Sequence, residues 1–195
     1  MSNCLESALF NGLGIKTAVI SYDDLYLTNE DQQKVTNANP SNKFLAGRGV
    51  AGTHDMQLGI DKLQEMIYDS ADGKSILVPQ YDKTSFNGKG DRFPQDKWKQ
   101  IEGKIDLVIV EGWMLGYRKV DESNSALQSF KTYEGELEST KHINSLMTKY
   151  EQQWHPFFDA SILVGVNNPD IVYKWREEAE NTQRRSKGLG AMSKE

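Results

Sequence analysis

The chain has 195 residues, a formal charge of −5 and an isoelectric point near 5.3, which suits one domain and argues against a nucleic-acid binder. A single cysteine, Cys4, excludes an intrachain disulfide and fits a reducing compartment. No apolar run approaches the ~20 residues of a membrane span, and no leader-like stretch opens the chain; the expectation is a cytoplasmic protein with no membrane contact.

In chain order, residues 4–10 suggest a short helix closed by Gly12 or Gly14. Residues 16–22 form a β-type run that ends in two adjacent carboxylates, Asp23 and Asp24. In open α/β sheets the ligand crevice lies outside the carboxyl ends of the strands. A polar helix starts at Thr28 and runs to about Val35, with Asp31 where a capping box places its acid. Residues 36–54 are a long loop containing Arg48 among glycines, with His54 beside Asp55 at its end. Loops of this length in compact domains are usually functional or disordered.

Met56, Ile60, Leu63 and Ile67 share one helical face, ended by Gly73. A short strand at 75–79 leads into a second polar loop, 80–94, which carries Tyr81, Asp82, Lys83 and Arg92. Residues 106–111 place four consecutive aliphatics before Glu111, the pattern of a strand buried on both faces. Residues 118–156 are polar and helical in part, with Leu146, Tyr150 and Trp154 on one stripe. A third buried strand is expected at 159–166. Asn168, Pro169 and Asp170 then supply a cap, a first-turn proline and a first-turn acid for a final helix. Its buried face would be Ile171, Trp175 and Ala179, with Gly188 and Gly190 as breakers and a further helix opening near Met192.

The strand ends carry the chemistry. Of Asp23 and Asp24, one can face a crevice while the other caps a turn; a phosphoryl acceptor needs such a positioned base, and a plain turn or helix cap is the competing reading. Glu111 sits where a Walker B strand carries its acid, with turn initiation as the alternative, and Gly112 beside it suggests close backbone approach. Arg48, Lys83 and Arg92 are each ordinary surface cations alone, but three loops on one sheet together can build an anion pocket. His54 serves as a base, a carboxylate ligand or a cap. His142 and His155 have no Cys or His at ligand spacing, so no metal cage is expected. Arg176, Arg184 and Arg185 suit a lid over phosphates, although i,i+4 surface pairing is favoured for Arg176. Gly73-Lys74-Ser75 imitates the end of a phosphate loop, but a strand follows where a helix must open. No Gly-x-x-x-x-Gly-Lys-Ser/Thr occurs in the 195 residues.

Several of these segments in this order are far more specific than any one: Asp23-Asp24-Leu25-Tyr26-Leu27-Thr28, Gly52-Thr53-His54-Asp55, Pro79-Gln80-Tyr81-Asp82-Lys83, Gly90-Asp91-Arg92, Glu111-Gly112-Trp113 and Val172-Tyr173-Lys174-Trp175-Arg176. With them the chain resembles the plant and fungal D-glycerate 3-kinase family, within the uridine kinase and phosphoribulokinase-like branch of the P-loop kinases. The resemblance implies an α/β fold, a mostly parallel sheet flanked by helices, and transfer of the ATP γ-phosphate to glycerate with Mg2+. It implies Asp23 as the acceptor-side base and Glu111 as the catalytic, metal-side acid. Asp24, Tyr26, Arg48, His54, Tyr81, Asp82, Lys83 and Arg92 would bind the acceptor, and Arg176 and Arg184 the nucleotide.

The family's phosphate loop would fall just before Met1 and its last helices after Glu195. The resemblance therefore implies a single, truncated kinase-like domain over 1–195, an incomplete fold lacking its central first strand, and no turnover by these residues alone. The alternatives are a non-catalytic metabolite- or partner-binding module, and a kinase of another small acceptor.

Overall fold

Ala18 and Ile20 lose all but 1% of their exposure in the strand β1 (Thr17–Ser21) because the pleat turns them to the same side, onto the core. A computed structural model describes residues 2–128, 136–168 and 170–186. The chain divides into two compact units, residues 1–159 and 160–195.

In the first unit, α1 (Ser2–Leu13) precedes β1 and extends past the expected 4–10. Gly14, with φ of +68°, reverses the chain at its end, a backbone conformation that only glycine adopts without steric cost. β1 pairs in parallel with a later strand, β6 (Leu107–Glu111), in the register Thr17↔Leu107 through Ser21↔Glu111. The α/β reading holds, with a parallel pair and flanking helices. β6 is half-buried rather than buried on both faces, and Leu107 is 39% exposed. The reason is that, among the described residues, β1 is the only strand beside it.

The remaining elements are arranged around this pair. α2 (Asn29–Ala38) starts where the capping pattern placed it: Thr28 Oγ1 accepts the Asp31 N–H at 3.2 Å and donates to Asp31 Oδ2 at 2.9 Å. α3 (Met56–Ile67) is capped by Asp55, whose Oδ1 accepts the Leu58 N–H at 3.0 Å. β2 (Ile76–Val78) pairs antiparallel with β5 (Lys99–Ile101). The loop expected over 80–94 contains a small ladder of β3 (Tyr81–Asp82) and β4 (Asp91–Arg92). A two-residue ladder is too short to leave an alternating pattern in sequence. α4 (Ser125–Gln128) and α5 (Glu136–Gln153) follow, and α5 carries Met147 and Tyr150 into the core, with Trp154 just beyond its end.

In the second unit the expected strand at 159–166 is absent. Its residues run as irregular chain, with Ile162 and Leu163 exposed by 88% and 93%. The described part of this unit offers one helix, α6 (Ile171–Ser186), and no strand to pair with, so the backbone has no ladder to join. The α6 face of Ile171 and Trp175 is likewise exposed within its unit, by 39% and 49%. The helix starts at Ile171, later than the expected cap at Asn168, whose Oδ1 accepts the Asp170 N–H at 2.9 Å in the turn that precedes it. Pro169, Gly188, Gly190 and residues 192–195 lie outside the described residues.

Gly59 in α3 abuts the Trp154 ring so closely that a Cβ would overlap Cζ2 and come within 2.6 Å of Cε2. Trp154 cannot retreat, since its Nε1 donates to the Met56 carbonyl at 2.9 Å and the ring is 1% exposed. Alanine ordinarily gains about 1 kcal/mol over glycine inside a helix, whereas overpacking costs about 1–3 kcal/mol. Gly59→Ala is expected to lower the unfolding free energy by up to about 2 kcal/mol in urea titration, and a gain would refute this packing.

Candidate functional site

β1 and β6 run parallel and end level with one another, so the residues after Ser21 and at Glu111 leave the sheet at one edge. Beyond Ser21 the chain tightens into a 3-10 turn over Tyr22–Leu25, started by the Asp23 N–H donating to Ser21 Oγ at 3.3 Å. The turn buries Tyr22 and Leu25 and sends the two carboxylates to different partners. Asp24 Oδ1 accepts the Tyr81 N–H at 2.9 Å and so holds β3 against the turn. Asp23 Oδ2 accepts from Lys83 Nζ at 2.5 Å, and both side chains keep solvent access, 31% and 55%. Gly112 allows the close approach suggested by its position, for a Cβ there would meet Tyr22 Cβ at 2.6 Å.

Backbone bonds zip the 25–27 stretch to 53–55: Leu27 N–H donates to Thr53 O at 3.0 Å and Asp55 N–H to Leu25 O at 2.8 Å. This brings His54 under the turn, its ring stacked on Tyr26 at 4.6 Å between centroids. The Tyr26 hydroxyl faces the Asp23 carboxylate and the Trp113 indole. His54 is 4% exposed and its Nδ1 lies 2.9 Å from the Tyr150 hydroxyl, which already accepts the Gly52 N–H at 3.0 Å. Tyr150 and His54 thus share one hydrogen bond, whose direction follows the imidazole tautomer. Nε2 and the Tyr22 hydroxyl have no partner among the described residues. Burial pushes the imidazole down to about 4, against the pull of Asp23, so His54 is neutral at neutral pH.

The cations divide sharply. Arg48 donates Nη1 to Gly88 O at 2.8 Å and to Lys89 O, and Nη2 to Lys83 O at 3.3 Å, which fastens the 83–89 loop. Arg92 donates Nη2 to Tyr26 O at 2.8 Å and to Asp55 Oδ2 at 3.0 Å, with its side chain 14% exposed. Both guanidiniums thus brace backbone, and Lys83 is the cation left facing outward beside Asp23. The Tyr81 hydroxyl donates to Leu27 O at 3.2 Å. Asp82 caps its own turn, accepting from Thr84 and Ser85, and these bonds hold its carboxyl at about 2.

Asp23, Asp24, Tyr26, His54, Tyr81, Lys83, Arg92 and Glu111 are therefore brought to one edge of the first unit, with Arg48 and Asp82 shaping the adjoining loop. Glu111 is exposed, and its carboxylate carries no hydrogen bond or ion pair among the described residues. No cluster of three or more potential metal-ligating side chains occurs among the described residues. Arg176 lies on α6 in the second unit and pairs with Glu180 at 3.4 Å, as i,i+4 spacing favours. The Arg184 side chain lies outside the described residues. The sequence pattern puts Tyr150 and Trp154 on a helical stripe but does not assign Tyr150 to His54; the aromatic i,i+4 spacing is the available signal.

No protein-family model matches the chain. It is 34% identical over 187 residues to the chloroplastic D-glycerate 3-kinase of Arabidopsis thaliana, covering 96% of this chain and 39% of that protein. It is 33% identical over 166 residues to the probable ATP-dependent kinase TDA10 of Saccharomyces cerevisiae, covering 83% of this chain and 54% of the relative. The chain thus spans roughly two-fifths to a half of the length of these curated relatives. A solved D-glycerate 3-kinase from Cryptococcus neoformans superposes with a TM-score of 0.81 at 28% identity, over 97% of this chain and 68% of that one.

Two measurements probe the site's electrostatics. Removing Arg92 leaves the Tyr26 carbonyl and Asp55 without their charged donor, so Arg92→Ala is expected to cost about 2–3 kcal/mol at unchanged m-value in urea; a loss below about 0.5 kcal/mol would contradict the bracing role. The Asp24 carboxyl is raised to about 6, chiefly by burial, with the Tyr81 N–H and Lys83 opposing and Asp23 and Glu111 assisting. Between about pH 4 and 6 the folded chain keeps a proton there that the unfolded chain releases, so this group lowers stability as pH rises. His54 acts in the opposite sense, lowering stability as pH falls from about 6.5 to 4. Asp24→Asn removes the first effect alone, so its Tm should fall more steeply than the wild type's from pH 7 to 4.5. At pH 7 the variant should stand about 2–4 °C higher; parallel pH profiles would exclude the assignment.

Proposed function

We propose that this homologue of the D-glycerate 3-kinases carries the acceptor half of an ATP-dependent kinase and binds a small hydroxy acid of the glycerate type between Asp23 and Lys83. The observation that supports the reading is the β1–β6 register, which sets the Asp23 turn and Glu111 at one sheet edge with Lys83 facing the same carboxylate.

Asp23 is solvent-accessible and accepts a hydrogen bond in the ground state, as a base for an alcohol must. The acceptor's carboxylate engages Lys83, drawing the ammonium partly from Asp23, while its hydroxyl takes that place and donates to the freed carboxylate oxygen. Asp23 then takes the hydroxyl proton as the oxygen attacks the γ-phosphorus of ATP and the bond to the leaving ADP oxygen breaks. Tyr26 orients Asp23 from the other side, and the neutral His54 stiffens Tyr26 from below.

Mg2+ fits the site in a limited sense. Magnesium is usually held by one or two carboxylates together with water and phosphates, and the exposed Glu111, unpaired among the described residues, is one such carboxylate. Bound there, the ion would neutralise charge on the transferring phosphates. The 195 residues hold no Gly-x-x-x-x-Gly-Lys-Ser/Thr, the sequence whose backbone amides grip those phosphates. Acceptor binding is accordingly assigned to these residues, and turnover to a polypeptide that adds such a loop.

D-Glycerate should raise the Tm of the 195-residue chain, and Lys83→Gln should abolish the shift while leaving the unliganded Tm nearly unchanged. Coupled assays of these residues alone should register no ATP consumption. In a polypeptide that adds the phosphate-gripping loop, Asp23→Asn should lower kcat by about 10²–10⁴-fold, the range for a general base. A chain of this length that consumes ATP with glycerate, or one that glycerate leaves unshifted, would overturn the reading.

A further inference from the structure

A cavity of about 240 Å³ opens between the C-terminal end of α2, the 52–56 segment and α5. Liquid water takes about 30 Å³ per molecule, so the space suits a ligand equivalent to about eight waters. Val35, Leu45, Met56 and Leu146 supply its aliphatic lining, beside the polar side chains of Asn39, His54 and Tyr150. Two basic side chains of α5, His142 and Lys149, stand seven residues apart, about two helical turns, on either side of Leu146. No carboxylate lines the cavity, and neither basic side chain has a hydrogen bond or ion pair among the described residues.

An uncompensated ammonium over an apolar floor selects for a ligand that is anionic at one end and hydrocarbon at the other. The Asn39 side chain helps hold the wall, donating Nδ2 to Val35 O at 2.8 Å, which leaves its oxygen as the amide's remaining group. Tyr150 and His54, joined to each other by a hydrogen bond, also line it. The cavity therefore sets two basic side chains beside an aliphatic group of side chains.

We propose that this cavity is a binding site for a short-chain monocarboxylate, held by Lys149 and His142 at the carboxylate and by Leu45, Met56 and Leu146 at its apolar body. It is separate from the Asp23–Lys83 pair, although the same Tyr150–His54 wall reaches the acceptor side through Tyr26. The assignment stands whether or not glycerate is the acceptor.

The test is a titration of the full 195-residue chain with sodium butyrate, followed through backbone amide NMR shifts, with n-butanol and n-butylammonium chloride as isosteric probes lacking the negative charge. Butyrate should shift the amides of Asn39, Leu146 and Lys149 saturably, half-saturating at about 1–10 mM, a range consistent with six non-hydrogen atoms. Lys149→Gln, an exposed position that leaves the fold intact, should weaken butyrate at least fivefold, and Leu146→Trp should fill the cavity and remove binding. Lys83→Gln should leave butyrate unaffected, which separates this site from the acceptor site. The proposal fails if butyrate gives no saturable shift below about 50 mM, if Lys149→Gln binds within twofold of wild type, if n-butylammonium or n-butanol binds as well, or if Lys83→Gln removes the effect.

Discussion

The register of one parallel strand pair governs the rest of this structure. Thr17↔Leu107 through Ser21↔Glu111 is a five-residue match in which Ala18 and Ile20 point into the core. A slip of one residue would turn every side chain of β6 to the opposite face and carry Glu111 away from the Asp23 turn. The hydrophobic preference for burying Ala18 and Ile20 therefore also sets the spacing of the carboxylates. Packing and chemistry are specified by the same ladder, and the close approach of Gly112 to Tyr22 locks the strand ends together.

Around that pair, charged side chains hold backbone. Arg92 joins Tyr26 to Asp55, Arg48 gathers the 83–89 loop, Asp24 secures Tyr81, and Asp91 Oδ1 accepts the Asn29 N–H at 3.0 Å. Backbone amides and carbonyls in long loops need partners once they leave water, and these side chains supply them where no strand or helix does. One result is that two of the three loop cations singled out from sequence are committed to carbonyls, which leaves Lys83 as the one paired with Asp23 alone. The buried layer beneath, with His54 neutral against Tyr26 and Tyr150, gives the exposed carboxylates a stiff support.

Much of this architecture is legible in the sequence. Thr28 with Asp31 behaves as its local pattern requires, and a helix forms over Met56–Ile67, because capping and helical periodicity act over three or four residues. The buried face of that helix is Gly59, Lys62, Leu63 and Met66, and Ile67, expected on that face, is 37% exposed. The strand at 16–22 and the aliphatic run before Glu111 are legible for a similar reason: β-propensity and uninterrupted hydrophobicity are properties of the segment itself. The strand expected at 159–166 has the same composition and does not form, since a strand needs a neighbour to accept its hydrogen bonds and its unit offers none among the described residues.

The sequence by itself determined where helices begin, which segments can extend, and that acids stand at the ends of two such segments. All of these depend on residues close together along the chain. The tertiary structure alone decided that Arg92 braces Asp55, which lies 37 residues away, and that Lys83 reaches Asp23 across 60. It also decided that the Tyr150 hydroxyl meets His54 Nδ1 from 96 residues away. A guanidinium or an ammonium can pair with a carbonyl, a carboxylate or a ligand alike, and only the packing of distant elements determines which of them comes within reach.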